Sequence, residues 1–214
     1  MMSQASPRIL LVDDHPIFRR GLHGIIEDSF ETVTVEEVGT ASGTLALVRT
    51  QPWDVIVLDI SLKDGDGLEV VKQIRELNPR IPVLMLSMHP DEHFARRSAA
   101  AGASGYLTKH VADTEVVTAL ATLLRGERYY RPGFGEVPGP ARFTEGGAPH
   151  HGLSYREFQV ARMFGRGLRT SEIAAELDLS PKTVSTYRSR VLEKLQLRTN
   201  AELTRYMIQH KLTE

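Results

Sequence analysis

Hydrophobic residues along the first 125 positions follow two alternating patterns. Short runs rich in Val, Ile and Leu occupy residues 9–12, 33–38, 55–58, 83–86 and 106–107. Longer amphipathic stretches with helical spacing lie between and after them, at residues 17–28, 42–50, 67–77, 91–101 and 113–124. Several short runs are uninterrupted, which is typical of strands buried on both faces. Five strand-then-helix units predict an α/β fold, a doubly wound, five-stranded parallel sheet with helices on both sides.

The pattern changes after residue 125. Residues 126–151 contain six Gly and four Pro and have no helical or strand period, which predicts a flexible linker. Strand signals are absent beyond it, and four helical segments follow, at residues 155–165, 170–177, 181–195 and 200–210. We therefore expect two domains, an α/β domain at 1–125 and an all-α four-helix domain at 152–214.

Composition and charge limit the classes of protein. The 214 residues include no Cys, which excludes disulfides, thiolate metal sites and a cysteine nucleophile. No run approaches the about 18 apolar residues of a membrane-spanning helix, and no signal peptide begins the chain, so a cytoplasmic protein without a membrane partner is expected. Residues 1–151 carry 15 basic and 20 acidic side chains, whereas residues 152–214 carry 11 and 7. The basic second domain indicates a nucleic-acid partner.

Polar side chains stand where the predicted strands end, namely Asp13 and Asp14, Asp59, Ser87 and Lys109. Because ligands of open parallel sheets bind outside the carboxyl ends of the strands, these side chains are expected to converge. Three neighbouring carboxylates repel one another unless a cation lies among them, and Mg²⁺ prefers such oxygen ligands. With Asp59 as nucleophile, and with Lys109 and Ser87 to bind phosphoryl oxygens, the cluster predicts phosphorylation of an aspartate.

The first domain resembles a two-component receiver domain, a flavodoxin-like fold. The motifs L-L-V-D-D-H-P, V-L-D-I-S-L-K-D-G-D-G, M-L-S and G-Y-L-T-K occur in the family's order within residues 8–125. The resemblance implies that Asp59 is the phosphoacceptor. It also implies that Asp14, Asp59 and the backbone carbonyl of Ser61 bind Mg²⁺, while Asp13 holds a metal-bound water.

The same resemblance gives roles to three further residues and marks two departures. Ser87 and Lys109 are expected to contact the phosphoryl group, and Tyr106 to be a switch residue whose rotamer follows phosphorylation. Lys63 stands where a Pro is common, and Met88–His89 stand where smaller residues are frequent. Both departures are expected at the rim of the pocket, where they bear on the lifetime of the phosphoryl group.

Other polar and aromatic residues have structural interpretations. Asp64 and Asp66 are expected in a turn and at a helix N-cap. His15 precedes a Pro at a helix start, so a capping or rim position is favoured over the alternative of a general base. The pair His150–His151 is expected to be solvated, and Trp53 to pack in the core.

The second domain carries the signals of a helix-turn-helix. Ser154 and Glu157 have the spacing of a capping box. A short helix at 170–177 is followed by L-D-L-S, where Ser180 caps a longer helix that begins at Pro181. Two helices joined by such a tight turn predict a helix-turn-helix, the second helix of which fits the major groove of DNA.

The longer helix is expected to read the DNA. Its buried stripe is formed by Val184, Val191 and Leu195, with Tyr187 partly buried. The strings L-S-x-R-E, E-I-A-x-x-L-x-L-S-x-K-T-V-S-T, K-L and A-E-L resemble the LuxR-type helix-turn-helix of NarL/FixJ response regulators. The resemblance implies contacts to bases or nearby phosphates by Lys182, Thr183, Ser185 and Thr186, and to the DNA backbone by Arg188, Arg190 and Lys194. The alternative is a protein-interaction module with a solvated basic face.

Together the two resemblances imply a response regulator and not an enzyme. A sensor histidine kinase would phosphorylate Asp59 and thereby control sequence-specific binding of a homodimer to promoter DNA, with RNA polymerase as a further partner. One alternative is a Mg²⁺-dependent phosphohydrolase, which needs a second carboxylate two residues after Asp59, where this chain has Ser61. Another is a receiver that serves only as a dimerisation scaffold, against which the intact polar cluster argues.

Overall fold

The computed structural model of the protein describes residues 6–88, 92–130 and 149–213, apart from the side chain of His151. The chain divides into two compact units, Met1–Thr144 and Glu145–Glu214. The boundary between them falls inside the predicted linker, of which residues 131–148 lie outside the described part of the chain. Within the described residues, no helix has the length and apolar character needed to cross a membrane.

A parallel sheet forms the centre of the first unit. Its strands are β1 (Arg8–Val12), β2 (Thr34–Val38), β3 (Val55–Asp59), β6 (Val83–Ser87), β7 (Gly105–Thr108) and β8 (Tyr129–Tyr130). They are arranged in the order β2-β1-β3-β6-β7-β8, and every ladder is parallel. A short antiparallel hairpin, β4 (Ser61–Leu62) and β5 (Gly65–Asp66), follows β3. The strand order reverses between β1 and β3, which places a crevice for ligands beyond the ends of these strands.

Helices cover both faces of this sheet. They are α1 (Pro16–Ser29), α2 (Ala41–Thr50), α3 (Gly67–Leu77), α4 (Glu92–Ala100) and α5 (Ala112–Leu124), the last preceded by a 3₁₀ turn at Lys109–Val111. Helices α1 and α5 pack together, and so do α2 and α3. Leu22 and Ile26 of α1 join Val116 and Leu120 of α5 in one buried cluster with the sheet. Each such side chain contributes about 1.5–3 kcal/mol by leaving water. The predicted doubly wound architecture is confirmed.

A sixth strand extends the predicted sheet of five. Strand β8 lies within the predicted linker, so the expectation of no strand there is wrong at Tyr129–Tyr130. The Tyr129 hydroxyl donates to Glu115 Oε2 at 2.8 Å, and the Tyr130 hydroxyl donates to the carbonyl of Ala103 at 2.8 Å. Gly105 allows the close approach, because a Cβ there would lie 2.8 Å from the Tyr129 carbonyl oxygen. Two residues are too few to produce a detectable sequence period.

Trp53 packs in the first unit, as predicted. Its side chain is buried just before β3. The indole Nε1–H donates to the carbonyl of Leu47 on α2 at 3.3 Å. The Arg8 guanidinium lies 4.9 Å from the ring centroid, within range of a cation–π contact. These contacts connect α2 to the first residue of β1 and to the segment before β3.

The second unit is helical. A 3₁₀ turn at Pro149–Gly152 precedes α6 (Tyr155–Gly165), α7 (Thr170–Glu176), α8 (Pro181–Lys194) and α9 (Asn200–Gln209). The predicted capping box of Ser154 and Glu157 is present, and the Ser180 side chain accepts a hydrogen bond from the Thr183 N–H. Each such cap contributes about 1 kcal/mol. All four predicted helices are therefore confirmed.

His150 occupies a different place from the solvated one predicted for it. It is buried at 8% exposure, and its Nδ1 lies 2.9 Å from the hydroxyl of Tyr206. Its ring also lies near those of His210 and Phe158. The partners are at least eight residues away along the chain, which is why local composition gave no signal for them. The side chain of His151 lies outside the described part of the chain.

Candidate functional site

The polar residues predicted at the strand ends come together at one edge of the first unit's sheet. Asp13 follows β1, Asp59 ends β3, Ser87 ends β6 and Lys109 follows β7. The parallel register aligns these ends, because Asp59 pairs with Leu86 and Ser87 pairs with Thr108. Asp13, Asp59 and Ser87 are at most 1% exposed. Because side chains this deeply buried have lost their contacts with water, they must form hydrogen bonds or ion pairs with one another.

Lys109 lies between two of the carboxylates. Its Nζ is 2.8 Å from Asp59 Oδ2 and 2.6 Å from Asp13 Oδ2, and its side chain is 6% exposed. The contact with Asp59 is a hydrogen bond. The contact with Asp13 is an ion pair by distance but lacks hydrogen-bond geometry. The cation therefore holds Asp59 by a hydrogen bond and pairs with Asp13 by charge.

Burial raises the pKa of Asp59 to about 6, opposed by the Lys109 charge and increased by that of Asp13. The N–H of Ser61 donates to Asp59 Oδ1 at 3.1 Å and favours the charged form. The raised pKa therefore reflects mainly the burial of the Asp59 carboxyl, which favours its neutral form. A further cation at this buried site would favour the charged form of Asp59.

The donor set fits a hard divalent cation. One ligand atom from each of Asp13, Asp14, His15 and Asp59 can be chosen so that all lie within 4.8 Å of one another. Asp13 Oδ2 and Asp14 Oδ1 are buried and have no hydrogen-bond partner among the described residues. Their ion pairs with Lys109 and His15 lack hydrogen-bond geometry, so each oxygen can still bind a metal ion or a water. The acidic cluster is therefore suited to a metal ion.

His15 and Lys63 form the exposed rim of this cluster. His15 Nδ1 lies 2.8 Å from Asp14 Oδ1 and 3.2 Å from Asp13 Oδ1. The ring makes no capping hydrogen bond to α1, so of the two favoured placements the rim is correct. Lys63 Nζ lies 3.9 Å from Asp14 Oδ2 on a side chain that is 77% exposed. Both side chains are thus largely exposed to solvent.

The loop after Asp59 is fixed by two carboxylates that do not enter the cluster. Asp66 caps α3 by accepting from the Leu68 N–H at 2.9 Å, as predicted. Asp64 accepts from the backbone N–H groups of Ala41 and Ser42, at 2.7 and 3.2 Å. It thus binds the start of α2, a helix 22 residues earlier, which local turn signals could not reveal.

Tyr106 lies on β7 and is fully buried, with 0% exposure. Met88, next to Ser87, is instead 53% exposed. This agrees with the predicted rim position of Met88, whereas His89 lies outside the described residues. The ring of Tyr106, which is predicted to change its rotamer on phosphorylation, is therefore packed in the core.

Helices α7 and α8 of the second unit form the predicted helix-turn-helix. The turn between them includes Asp178, whose φ of 53° places it in the left-handed region that Asp tolerates. Val184, Val191 and Leu195 are buried as the predicted stripe, at no more than 5% exposure. The other residues of α8 are half-buried or exposed.

The predicted DNA-contacting side chains are distributed unevenly around α8. Those of Lys182, Ser185, Thr186, Arg190 and Lys194 are exposed, whereas those of Thr183 and Arg188 are half-buried. A shallow concave surface is lined by Lys182, Thr183, Thr186, Tyr187 and Arg190. Positive and hydroxyl groups thus share one face of α8.

Lys194 has an internal partner that its sequence position did not suggest. Its Nζ lies 2.6 Å from Glu157 Oε2, and that carboxylate is 4% exposed. The expected role of Lys194 in binding the DNA backbone therefore competes with a structural role at the contact of α8 with α6.

Comparisons with known proteins match both units. The family described as the response regulator receiver domain matches residues 9–121, and bacterial regulatory proteins of the luxR family match residues 151–207. Response regulator UvrY of Escherichia coli (strain K12) is 34% identical over 208 residues, which are 95% of this chain and 94% of UvrY.

Two solved structures are similar over most of the chain. One is RcsB from Salmonella enterica serovar Typhimurium bound to promoter P1flhDC in the presence of the phosphomimetic BeF₃⁻, with 26% identity and a TM-score of 0.55. The other contains two RcsB dimers bound to two parallel DNAs, with 26% identity and a TM-score of 0.57. Each match covers 94% of this chain and 98% of the other.

Proposed function

The chain belongs to the response regulators that join a receiver domain to a LuxR-family DNA-binding domain, and we propose that phosphorylation of Asp59 controls its binding to DNA. This family consists of transcription regulators and not enzymes, so the phosphohydrolase alternative no longer applies. The phosphodonor is a sensor histidine kinase. The observation that carries the proposal is the buried Asp59 carboxylate held by Lys109 beside Asp13.

Asp59 is placed to act as the nucleophile. One of its oxygens attacks phosphorus while the bond between phosphorus and the donor's histidine nitrogen breaks. Lys109 neutralises charge on a phosphoryl oxygen, and the Ser87 hydroxyl donates a hydrogen bond to another. Ser61 orients the carboxylate through its N–H, which lies 3.1 Å from Asp59 Oδ1.

Mg²⁺ is the ion that suits these oxygen ligands. Asp14, Asp59 and the backbone carbonyl of Ser61 would hold it, and Asp13 would bind one of its waters. When bound, the ion neutralises phosphoryl oxygens during transfer. Asp13 Oδ2 and Asp14 Oδ1, which accept no hydrogen bond from the described residues, support this assignment.

Phosphorylation of Asp59 must change the conformation of the receiver if it is to alter DNA binding. Tyr106 is proposed to change its rotamer with the phosphoryl group, which shifts the populations of two receiver states. Its position on β7, three residues before Lys109, places the ring on the strand that carries the site's cation. Because the ring is fully buried, a new rotamer requires its neighbours to repack.

Helix α8 is proposed to lie in the major groove of promoter DNA. Lys182, Thr183, Ser185 and Thr186 face bases or nearby phosphates, and Arg188 and Arg190 bind the backbone. A homodimer would place two such helices about 34 Å apart, one turn of DNA. RcsB dimers bound to DNA support this arrangement, while contact with RNA polymerase stays a prediction.

The proposal is tested with labelled acetyl phosphate and Mg²⁺. Full-length wild type, Asp59→Asn and Asp64→Asn are compared, the last as a control because Asp64 lies in the same loop but binds α2. Label is expected on wild type and Asp64→Asn and absent from Asp59→Asn. Label on Asp59→Asn would show that the acceptor is another residue.

The coupling to DNA is measured with the same three proteins. Acetyl phosphate is expected to raise the DNA affinity of wild type and Asp64→Asn but not that of Asp59→Asn. If acetyl phosphate changes the DNA affinity of none of the three proteins, the receiver would serve only as a dimerisation scaffold.

A further inference from the structure

The imidazole of His15 lies against the metal-binding carboxylates and not against the helix that it precedes. Its Nδ1 is 2.8 Å from Asp14 Oδ1 and 3.2 Å from Asp13 Oδ1. The two carboxylate side chains are at least 95% buried, whereas the His15 side chain is 62% exposed. The nitrogen therefore approaches the cluster from its solvent side.

In this structure the two contacts are a hydrogen bond with Asp13 and an ion pair with Asp14, and their lengths also match those between neighbouring ligands of a six-coordinate ion. In an octahedron with metal–ligand bonds of 2.0–2.1 Å, adjacent donor atoms are about 3.0 Å apart. Asp14 Oδ1 is also an oxygen without a hydrogen-bond partner among the described residues. The nitrogen and Asp14 Oδ1 thus have the spacing of neighbouring ligands around one ion.

From this geometry we infer that His15 is a nitrogen ligand that makes the site prefer a divalent transition-metal ion, such as Mn²⁺, over Mg²⁺. The inference rests on the proposed function, because the same carboxylates serve both ions. Mg²⁺ takes oxygen ligands almost exclusively, whereas imidazole binds first-row transition metals well. His15 is a ligand for the second class and is dispensable for the first.

The two lysines near the site cannot serve as nitrogen ligands of the metal ion. Lys109 and Lys63 are cations and cannot bind a metal ion. Lys109 is directed to Asp59 Oδ2 and Asp13 Oδ2, and Lys63 approaches Asp14 Oδ2. His15 contacts the other oxygen of each carboxylate, Asp13 Oδ1 and Asp14 Oδ1.

Electron spin-echo spectroscopy of bound Mn²⁺ tests the inference in the full-length protein. Wild type should show modulation from a coordinated nitrogen, and excess Mg²⁺ should remove it by displacing Mn²⁺ from the shared site. His15→Ala should lose this modulation. His23→Ala is the matched control, since His23 is a histidine in the middle of α1 that pairs instead with Glu27 and Glu37.

Competition between the ions supplies the second measurement. His15→Ala is expected to lower Mn²⁺ affinity about tenfold while Mg²⁺ affinity changes less than about threefold, and His23→Ala should change neither. Retained Mg²⁺ binding also shows that the His15→Ala protein is folded. Absence of a nitrogen signal in wild type, or equal loss of both affinities, would overturn the inference.

A rise in Mg²⁺ affinity in His15→Ala would overturn it as well, because His15 would then be a competitor of the metal. These failures leave Mg²⁺-dependent labelling of Asp59 intact. A wild-type protein that binds neither ion and accepts no phosphoryl group would instead refute the proposed function.

Discussion

The ammonium of Lys194 on α8 lies 2.6 Å from Oε2 of Glu157, a carboxylate on α6 that is 4% exposed. The same carboxylate oxygen accepts a hydrogen bond from the Ser154 N–H at 2.7 Å. Glu157 therefore caps α6 and binds α8 at once. A basic residue at the end of the helix that is proposed to bind DNA thus stabilises its own domain.

Lys194→Ala is expected to destabilise the second unit by about 1–3 kcal/mol, since the buried Glu157 carboxylate loses its partner. The control is Arg190→Ala, which removes an exposed cation of the same helix and should change stability by less than about 0.5 kcal/mol. Thermal melting followed by circular dichroism measures both. Equal melting temperatures for wild type and Lys194→Ala would show that the pair does not stabilise the protein.

Lys182→Ala and Arg188→Ala are expected to weaken DNA binding and to reduce its salt dependence. Each lost phosphate contact lowers the slope of log affinity against log salt by about one unit. Titrations of labelled DNA at several salt concentrations measure this slope. Lys194→Ala should change it less, because that side chain binds Glu157. Unchanged slopes for Lys182→Ala and Arg188→Ala would exclude phosphate contacts by these residues.

Gly105→Ala is expected to destabilise the first unit by about 1–3 kcal/mol, because the new Cβ would lie 2.8 Å from the Tyr129 carbonyl oxygen. Gly24→Ala is the matched control: nothing lies within 4 Å of a Cβ at this position of α1. It should stabilise the protein by about 0.5–1 kcal/mol. Urea denaturation measures both, and a neutral Gly105→Ala would mean that β8 does not pack on β7.

Stability is expected to depend on pH through His23 and Glu37. Burial lowers the pKa of His23, but hydrogen bonds to Glu37 and Glu27 outweigh it, and the pKa is raised above 6.5. Burial likewise raises the pKa of Glu37, but Arg19 and His23 outweigh it, and the pKa falls below 4.5. The contribution of His23 is complete below pH 6.5 and disappears as pH rises through its folded-state pKa. That of Glu37 is complete above pH 4.5 and disappears as pH falls.

The stability difference between wild type and His23→Gln should therefore be largest between about pH 5 and 6 and should shrink toward pH 8. Urea denaturation across this range measures it. A stability difference that grows with pH would mean that the pKa of His23 is lowered on folding.

Much of the receiver site could be predicted from the sequence. Asp13, Asp59 and Ser87 end or follow uninterrupted apolar strands, and parallel pairing brings such ends to one edge of the sheet. The contacts of the side chains at the exposed rim of the site could not be predicted from the sequence. His15 contacts the carboxylates by the orientation of its ring, which spacing along the chain does not determine.

Non-local partners account for the remaining differences. Asp64 binds the start of α2, Glu157 pairs with Lys194, and His150 contacts Tyr206, over separations of 22 to 56 residues. A local pattern reports the periodicity of one element and not the partner that it meets. Cap signals such as that of Ser154 and Glu157 were predicted correctly because both members lie within one turn.

Trp53 provides a fluorescence signal from only one of the two units. It is the single tryptophan, and it is buried in the first unit between α2 and the strands. Its fluorescence therefore reports unfolding of the receiver, whereas far-ultraviolet dichroism includes the helices of both units. Comparing the two signals in one denaturation experiment assigns each change in stability to the receiver unit or to the helical unit without cutting the chain.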